Sequence, residues 1–388
     1  MTFNSLVSKC LYNIQLIQLS GFFIALIISY LLTPLIQSRA LKLGLLDKPS
    51  NRKLHDKPIP RLGGVSIFVS LFLTTVFFIA TYWKYRTTLP GTFTLFGIFA
   101  GGTIIFFLGL LDDIEPLPAL LKLFTQILAA SVAWFLGIKI IHLVNPFYHA
   151  DFYFFKLSIG DQVIQFYPII SYLLTLAWIV IITNAVNLVD GMDGLATGVS
   201  LISAIAIWAV LVDYRISQPA GALMAATLAG GLLGFLRWNF NPARIFLGDS
   251  GAYLTGFVLA SLAISCVTKK LALAVMTPVL ILIFALPIGD TVFAVIRRTL
   301  NRKSIMAPDK GHLHHRILAI GLSQKATSYF LYFVSAVLGL IATYIVSIKS
   351  SLRFLILIGV VFLIAMFYTC IINWKHQKLF RNIFMKTK

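Results

Sequence analysis

The sequence predicts an all-α protein, a polytopic bundle of about 11 membrane-spanning helices that forms one domain over residues 1–388. The chain is 59% hydrophobic and only 12% charged, whereas soluble domains carry about 25% charged residues. Apolar stretches long enough to cross a bilayer, which takes about 20 residues, recur along the whole chain. Because no fixed-period repeat or low-complexity linker separates them, we expect no domain boundary.

Each apolar stretch is interpreted as one span. The first is interpreted as a retained helix, because it lacks the strongly basic segment and small-residue cleavage site of a removed signal peptide. The predicted spans centre in 15–35, 64–83, 92–111, 118–138, 167–185, 195–212, 219–236, 250–266, 272–296, 329–348 and 352–373.

The distribution of Lys and Arg predicts the orientation of these spans. The loops after the first, third, fifth, seventh and ninth spans, with the C-terminal tail, hold 21 of these residues, and the opposite side holds 10. By the positive-inside rule the first set is cytosolic and the N-terminus lies outside; Lys269 and Lys270 are a local departure. The net charge of +19 is therefore assigned to topology, and we expect no nucleic acid partner.

Acidic residues gather on the same side. Ten of the 13 lie in predicted cytosolic loops or at cytosolic span ends, although acidic residues contribute little to topology. Carboxylates collected beside cations at one membrane face suggest a bound metal ion or a charged substrate. The ten are Asp47, Asp56, Asp112, Asp113, Glu115, Asp190, Asp193, Asp249, Asp290 and Asp309.

The first polar motif is Asp112-Asp113, in LGLLDDIEP at the end of the third span. Adjacent carboxylates repel each other in a low-dielectric environment, which is tolerable where a divalent cation or phosphate chemistry uses them. A pair of solvated loop acids is the structural alternative. The pair also resembles the start of a prenyltransferase Asp-rich box, but Pro116 occupies the fifth position of that box.

The second motif, NAVNLVDGMDGLATG, joins the fifth and sixth spans. Asn184 and Asn187 are three residues apart and share a helix face, while Asp190-Gly191 and Asp193-Gly194 suit turns or a helix start. Mg²⁺ prefers such oxygen ligands and fills its remaining positions with water or substrate oxygens. Turn chemistry alone would explain an Asp-Gly pair, but not two Asn residues at the end of a span.

The third motif, NPARIFLGDSGAYLTGF, places Asp249 just before the eighth span. The flanking glycines allow close backbone approach, and a helix N-terminus favours phosphate. Capping of the helix by Asp249 is the alternative.

The fourth motif is LPIGDTVFAVIRR, in which Asp290 precedes Arg297 by seven residues. Two helical turns put both side chains on one face. An ionisable residue within a span is a candidate functional residue, and a structural Asp–Arg pair is the alternative.

The fifth motif, APDKGHLHHRIL, carries His312, His314, His315 and Arg316. Three histidines within four positions favour contact with a substrate. Zinc binding and an exposed loop are the alternatives.

The last features are basic. Arg61 belongs to the first cytosolic loop, NRKLHDKPIPRLGG, where it either enforces topology or binds substrate. Gly63-Gly64 opens the second span and would let helices or lipid pack closely. Lys122 lies inside the fourth span near its cytosolic end, where it either snorkels to the interface or reaches a pyrophosphate.

The blocks PRLGG, LLDD, NAVNLVDGMDG, FLGDSG, PIGDT and HLHHR, in this order, resemble the polyprenyl-phosphate N-acetylhexosamine-1-phosphate transferase family. The resemblance runs from about Asp47 to Ser323. It implies a bundle of about ten or eleven helices in the bacterial inner membrane, often dimeric, with a cytosolic active-site cleft. A homodimer and a role in O-antigen or teichoic acid synthesis follow as expectations.

The histidine block favours one branch of this family. Leu313 interrupts the histidine run and Arg316 follows it, which resembles the bacterial GlcNAc branch, whereas the muramoyl-pentapeptide branch has adjacent histidines followed by an acidic residue. The resemblance therefore implies UDP-GlcNAc and undecaprenyl phosphate as substrates. Another UDP-N-acetylhexosamine or UDP-MurNAc-pentapeptide is the alternative.

The resemblance also implies roles for individual residues. Asp249 would be the main ligand of Mg²⁺, or alternatively Mn²⁺, with Asn187 as a helper. Asp112 would contact or deprotonate the lipid phosphate with support from Asp113, and Asp193 would contact uracil with Asp190 close by. The remaining expected substrate contacts are Lys122, His312, His314, His315 and Arg316 at diphosphate or sugar, with Arg61, Asn184 and Asp290 completing the set.

Two other classes of protein fit less well. A transporter would suit an intramembrane Asp290, but transporter sites lie near the bilayer midplane, whereas most of these acids lie in predicted cytosolic loops. A CDP-alcohol phosphatidyltransferase would suit DGMDGLATG, but Thr197 stands where its motif has Arg after Ala196.

Overall fold

The computed structural model describes residues 14–47, 58–84, 92–140, 156–159, 162–165, 167–213, 216, 218–266, 273–300, 311–348 and 359. Within these residues the chain forms twelve helices, which confirms the predicted all-α class. The predicted outer position of the N-terminus concerns residues 1–13, which lie outside the described part.

The helices are α1 (Ile14–Leu43), α2 (Gly63–Lys84), α3 (Thr92–Ile114), α4 (Ala119–Phe135), α5 (Tyr167–Val189), α6 (Leu195–Leu211), α7 (Pro219–Asn239), α8 (Gly248–Ser265), α9 (Leu273–Ile283), α10 (Ala285–Leu300), α11 (Leu313–Ala319) and α12 (Gln324–Ser347).

Two short pairs of antiparallel strands, which the sequence did not predict, connect helices. β1 (Leu46–Asp47) pairs with β2 (Ile59–Pro60) ahead of α2, and β3 (Lys156–Ile159) pairs with β4 (Gln162–Gln165) ahead of α5. The first pair matters for the site, because it brings Asp47 beside Arg61.

Among the described residues, six helices are long and apolar enough to cross a membrane, namely α1, α2, α3, α5, α7 and α12. The helices α4 and α6 are apolar but shorter, with 17 residues each. The structure therefore describes a multi-pass membrane protein, but the predicted count of 11 spans is not confirmed. The eleventh predicted span, 352–373, lies outside the described residues except for residue 359.

The ninth predicted span, 272–296, is two helices rather than one. The helices α9 and α10 meet at an angle of 84°. Pro287 explains the break, because a proline lacks the N–H that would bond the carbonyl of Ile283 and clashes with that carbonyl. The hydroxyl of Ser203 instead donates to the Ile283 oxygen over 3.2 Å.

The helix α8 occupies the centre of the bundle. Its residues from Ser250 to Ile264 are buried, and it packs mainly against α3 and α5. Close crossings elsewhere depend on small residues: a Cβ at Gly230 or Gly234 of α7 would meet backbone carbonyls of α1. Such positions let helix backbones approach closely.

The loops predicted to be cytosolic meet at one end of the bundle. Arg61, ahead of α2, lies 4.0 Å from Asp113 at the end of α3. Asn187 of α5 bonds Asp249 of α8 over 2.6 Å. The loop after α5 also contacts the segment that begins α11. These loops therefore share a side, as predicted, and the cytosolic identity of that side stays a prediction.

Candidate active site

The carboxylate of Asp113 holds the N-terminus of α8. It accepts hydrogen bonds from the backbone N–H of Asp249 (2.7 Å), the backbone N–H of Ser250 (3.0 Å) and the Ser250 hydroxyl (2.6 Å). The residue that precedes the helix, Leu247, offers no side-chain cap. Free N–H groups at a helix start need acceptors, and Asp113 supplies them from a neighbouring helix.

Gly248 makes this approach feasible. Its backbone has φ = 74°, and a Cβ there would lie 2.6 Å from Asp113 Oδ2. A residue with a side chain would be strained by the left-handed backbone and would push the carboxylate away.

Asp112, Asn187 and Asp249 converge from three helices. Asp249 Oδ1 accepts from the Asn187 side-chain amide over 2.6 Å. The carboxyl groups of Asp112 and Asp249 lie within hydrogen-bonding reach of each other. Asp249 is half-buried whereas Asp112 is 3% exposed, so a ligand would reach Asp249 from solvent.

Lys122 forms an ion pair with Asp112. The other oxygen of Asp112 accepts from the Leu117 N–H over 2.8 Å. In this structure the Lys122 ammonium therefore neutralises the first carboxylate of the Asp-Asp pair. It is bound within the site and does not snorkel to the membrane interface.

Arg61 offsets part of the remaining negative charge. Its guanidinium lies 3.4 Å from Asp47 and 4.0 Å from Asp113. Burial alone would lower the pKa of Arg61, but Asp47, Asp113 and further carboxylates outweigh burial and raise it. Arg61 thus joins the strand pair to the carboxylate cluster as a permanent cation.

Asp190 lies beside this cluster in the loop after α5. Burial, and then the charges of Asp249 and Asp113, raise the pKa of Asp190 to about 8. Without a bound cation, Asp190 is therefore mostly protonated at pH 7 and can donate a hydrogen bond.

Asn184 has a different surrounding from Asn187. Its side chain exchanges hydrogen bonds with Gln126 of α4, at 2.6 and 3.3 Å, and donates to the Val180 carbonyl over 2.8 Å. Sequence reasoning missed Gln126, although it lies four residues after Lys122 and so shares its helix face.

Asp193 fixes the segment between α7 and α8. Its Oδ2 accepts from the Asn241 side chain (2.9 Å) and from the Ala243 N–H (3.0 Å). Asn241 also donates to Gln324 at the start of α12, over 2.8 Å. Sequence reasoning missed Asn241 as well, although it opens the NPARIF motif.

The histidine block adjoins the loop of Asp190. The rings of His312 and His314 are parallel, with their centroids 5.9 Å apart. The ring centroids of His314 and His315 are 4.3 Å apart. A Cβ on Gly191 would lie 2.7 Å from His314 Nε2. The Arg316 Nε donates to the Gly311 carbonyl over 2.8 Å.

His314 is an uncharged group in this setting. It is 2% exposed, and no residue in the described part of the chain forms a hydrogen bond with its Nε2. Burial, and then the neighbouring His315, lower the pKa of His314 to about 3. His314 is therefore a neutral imidazole whose Nε2 is buried beside Gly191.

The donor set fits Mg²⁺ if a substrate completes its coordination. Within the described part of the chain, no group of three or more His, Cys, Asp or Glu side chains forms a metal site on its own. Two facing carboxylates and an amide remain, at Asp112, Asp249 and Asn187. Mg²⁺ is commonly held by one or two carboxylates together with substrate phosphates.

Comparison with known proteins points to one family. The model of glycosyl transferase family 4 matches residues 95–267, which include Asp112, Asn187 and Asp249. A probable undecaprenyl-phosphate N-acetylglucosaminyl 1-phosphate transferase of Bacillus subtilis is 35% identical, over 88% of this chain and 89% of the relative. A decaprenyl-phosphate N-acetylglucosaminephosphotransferase of Mycolicibacterium smegmatis is 34% identical, over 79% of this chain and 77% of the relative. A phospho-N-acetylmuramoyl-pentapeptide-transferase of Staphylococcus haemolyticus is 28% identical, over 79% of this chain and 93% of the relative.

Proposed function

Because the chain belongs to the polyprenyl-phosphate N-acetylhexosamine-1-phosphate transferase family, we propose that it transfers GlcNAc 1-phosphate from UDP-GlcNAc to undecaprenyl phosphate. The reaction would release UMP and form polyprenyl-diphospho-GlcNAc, as the first membrane step of a cell-surface glycan pathway. GlcNAc is favoured because GlcNAc-type relatives reach 35% and 34% identity, whereas the muramoyl-pentapeptide relative is 28% identical. The interrupted histidine run favours the same sugar.

The convergence of Asp112, Asn187 and Asp249 at one end of the bundle carries this proposal. These residues come from α3, α5 and α8, far apart in sequence, and no packing requirement gathers two carboxylates there. Phosphoryl transfer between two anionic substrates needs such a charged and positioned site.

The chemistry is a displacement at phosphorus. An oxygen of the lipid phosphate attacks the β-phosphorus of UDP-GlcNAc, the bond from that phosphorus to the bridging oxygen breaks, and UMP leaves with the electron pair. A phosphate monoester is largely ionised at neutral pH, since its second pKa is about 6. Asp112 therefore need not take a proton, and its pairing with Lys122 suits a role in orienting the lipid phosphate.

Asp249 and Asp112 would hold Mg²⁺, with Asn187 fixing the direction of the Asp249 carboxylate. When bound, the ion neutralises negative charge on the diphosphate. Among the described residues, Lys122 and Arg61 place positive charge beside the carboxylates, which would help anionic substrates to approach.

The uncharged groups suit the sugar and the base. His314 is neutral, and its Nε2 would form a hydrogen bond to a sugar hydroxyl or acetamido group if the substrate displaced the Gly191 loop that covers it. Protonated Asp190 can donate to a carbonyl of the substrate. Asp190 precedes Gly191 in the loop after α5, and His314 of α11 packs on Gly191.

The reaction would take place at the cytosolic face of a bacterial inner membrane. The excess of Lys and Arg in the loops that form the site supports this orientation. A homodimer remains a prediction from the family.

A UMP-release assay tests the proposal. The purified full chain would be given undecaprenyl phosphate, Mg²⁺ and, in separate reactions, UDP-GlcNAc, UDP-GalNAc or UDP-MurNAc-pentapeptide. We expect release of UMP with UDP-GlcNAc and loss of nearly all turnover in Asp249→Asn. Asp213→Asn is the matched control, because the length of α6 separates Asp213 from the site.

Three results would contradict the proposal. Preference for UDP-MurNAc-pentapeptide would move the chain to the other branch. Absence of UMP release with every donor would remove the transferase reaction itself. Near-normal turnover of Asp249→Asn would remove Asp249 from the metal site.

A further inference from the structure

Asp290 lies on α10 and is 5% exposed. Its Oδ2 lies 2.9 Å from His312 Nδ1, and its Oδ1 accepts from the backbone N–H of Leu313 over 2.7 Å. Each of its two oxygens is thus bound to the start of α11. Asp290 has the surroundings of a group that holds other residues in place.

The Asp290–His312 contact selects one tautomer of the imidazole. A carboxylate oxygen can only accept a hydrogen bond, so a hydrogen bond over this 2.9 Å contact places a proton on His312 Nδ1. In the tautomer protonated on Nδ1, the proton-free nitrogen is Nε2. The partner of one ring nitrogen sets the state of the other, which makes Asp290 the residue that determines what His312 offers to a ligand.

The influence of Asp290 extends to the loop of the carboxylate cluster. The ring of His312 lies parallel to that of His314, which packs on Gly191. The Leu313 N–H, fixed by Asp290, lies between the two histidines in sequence. A shift at Asp290 would therefore move both rings relative to the site.

We infer that Asp290 is a positioning residue, whose carboxylate fixes the tautomer of His312 and the place of His312 and His314 in the active site. This differs from the direct substrate contact expected from the sequence. The inference rests on the proposed function, because His312 and His314 matter only if they face a substrate of this site.

Enzyme kinetics provides the first test. In Asp290→Asn the new amide can donate to His312 Nδ1 and would force the proton onto Nε2. We expect kcat to fall about 10- to 100-fold, by analogy with the loss of a group that orients a metal-bound histidine. The KM for the lipid and the thermal unfolding midpoint should change little.

A double-mutant cycle separates positioning from direct contact. If Asp290 acts through His312, Asp290→Asn combined with His312→Ala should be no slower than His312→Ala alone. Thr291→Val is the matched control on α10. The Thr291 hydroxyl donates a 2.8 Å hydrogen bond to the Pro287 carbonyl, which belongs to the same helix. Multiplied losses in the double variant, or an unchanged kcat in Asp290→Asn, would overturn the inference.

Nitrogen NMR of the full chain labelled with ¹⁵N-histidine gives a measure that does not need activity. We expect a resonance pair of an Nδ1-protonated imidazole that is absent from His312→Ala and altered in Asp290→Asn. Identical histidine spectra for wild type and Asp290→Asn would refute the pairing. If the wild type released no UMP, the proposed function would fail, while the spectra would still decide whether Asp290 sets this tautomer.

Discussion

The backbone N–H of Asp249 donates a 2.7 Å hydrogen bond to the carboxylate of Asp113, which belongs to another helix. The second acid of the Asp-Asp pair therefore sets the start of α8, while the first lies beside the Asp249 side chain. Two adjacent residues of α3 thus have separate tasks, one towards the backbone of α8 and one towards the ligand site. The three hydrogen bonds of Asp113 give it little capacity to bind a substrate.

Replacement of Asp113 by Asn should lower both stability and turnover. An amide has one acceptor oxygen, so its NH₂ group would face at least one of the N–H or O–H donors at the start of α8. A buried polar group left without a partner costs about 1–3 kcal/mol. We expect a lower thermal unfolding midpoint and slower UMP release, because Asp249 moves with the helix start.

Ser250→Ala is the control for Asp113→Asn. It removes only the hydroxyl bond to Asp113 and leaves both backbone bonds in place. Its effect should be clearly smaller. Equal midpoints and rates for Asp113→Asn and wild type would show that Asp113 does not hold α8.

Replacement of Lys122 by Met should change the response to Mg²⁺. Lys122 pairs with Asp112 at the place where the proposed metal would bind. Without this cation the carboxylates attract a divalent ion more strongly, so the half-saturating Mg²⁺ concentration should fall. The kcat should fall too, because Lys122 no longer assists the approach of the lipid phosphate.

The measurement is UMP release over a range of Mg²⁺ concentrations. Lys122→Arg keeps the charge and should retain the wild-type Mg²⁺ response. If Lys122→Met needed the same or more Mg²⁺ than wild type, Lys122 and the metal would not share Asp112.

The sequence predicted the helical class and the meeting of Asp112, Asn187 and Asp249, because alternate loops of a membrane bundle must lie on one side. It could not predict the partners of Asn184 and Asp193. Those partners, Gln126 and Asn241, are 58 and 48 residues away, and they meet because α4 packs against α5 and α7 packs against α6.

The bend between α9 and α10 has another cause. The apolar run 272–296 has the composition of a single span, and hydropathy does not register a missing N–H group. Pro287 was the available signal, and the hydrogen bond of Ser203 to Ile283 shows how the structure accommodates it.

The raised pKa of Asp190 predicts a pH dependence of stability. The unfolded chain releases this proton near pH 4, whereas the folded, metal-free protein keeps it up to about pH 8. Between these values the folded state binds one more proton than the unfolded state. Its contribution to stability is therefore full below about pH 4 and is lost as the pH rises towards 8.

Asp190→Asn should remove this dependence. In the presence of EDTA, the variant should unfold at a higher temperature than wild type at pH 8.5, and the difference should shrink at pH 5. Thermal unfolding in detergent at the two pH values measures the effect. A difference that is independent of pH would show that Asp190 ionises normally in the folded protein.

Gly64 allows α2 to cross α8 at the point where the site is built. A Cβ at Gly64 would lie 2.6 Å from the Cα of Gly251, and the Gly64 N–H donates to the Leu247 carbonyl over 2.9 Å. Gly64→Ala would therefore push α2 against backbone that cannot yield cheaply. Overpacking of this kind costs about 1–3 kcal/mol, so we expect a lower unfolding midpoint and, because α8 carries Asp249, slower UMP release.

Gly102→Ala is the matched control for Gly64→Ala. Its added Cβ would have Leu254 Cδ1 as its nearest neighbour, at 3.5 Å, which is an ordinary contact. Alanine is also a better helix former than glycine, by about 1 kcal/mol. Gly102→Ala should therefore be neutral or slightly stabilising. If both variants unfolded at the wild-type temperature, the tight crossing of α2 and α8 would not limit the stability of the bundle, and the position of Asp249 would have to be set by Asp113 alone.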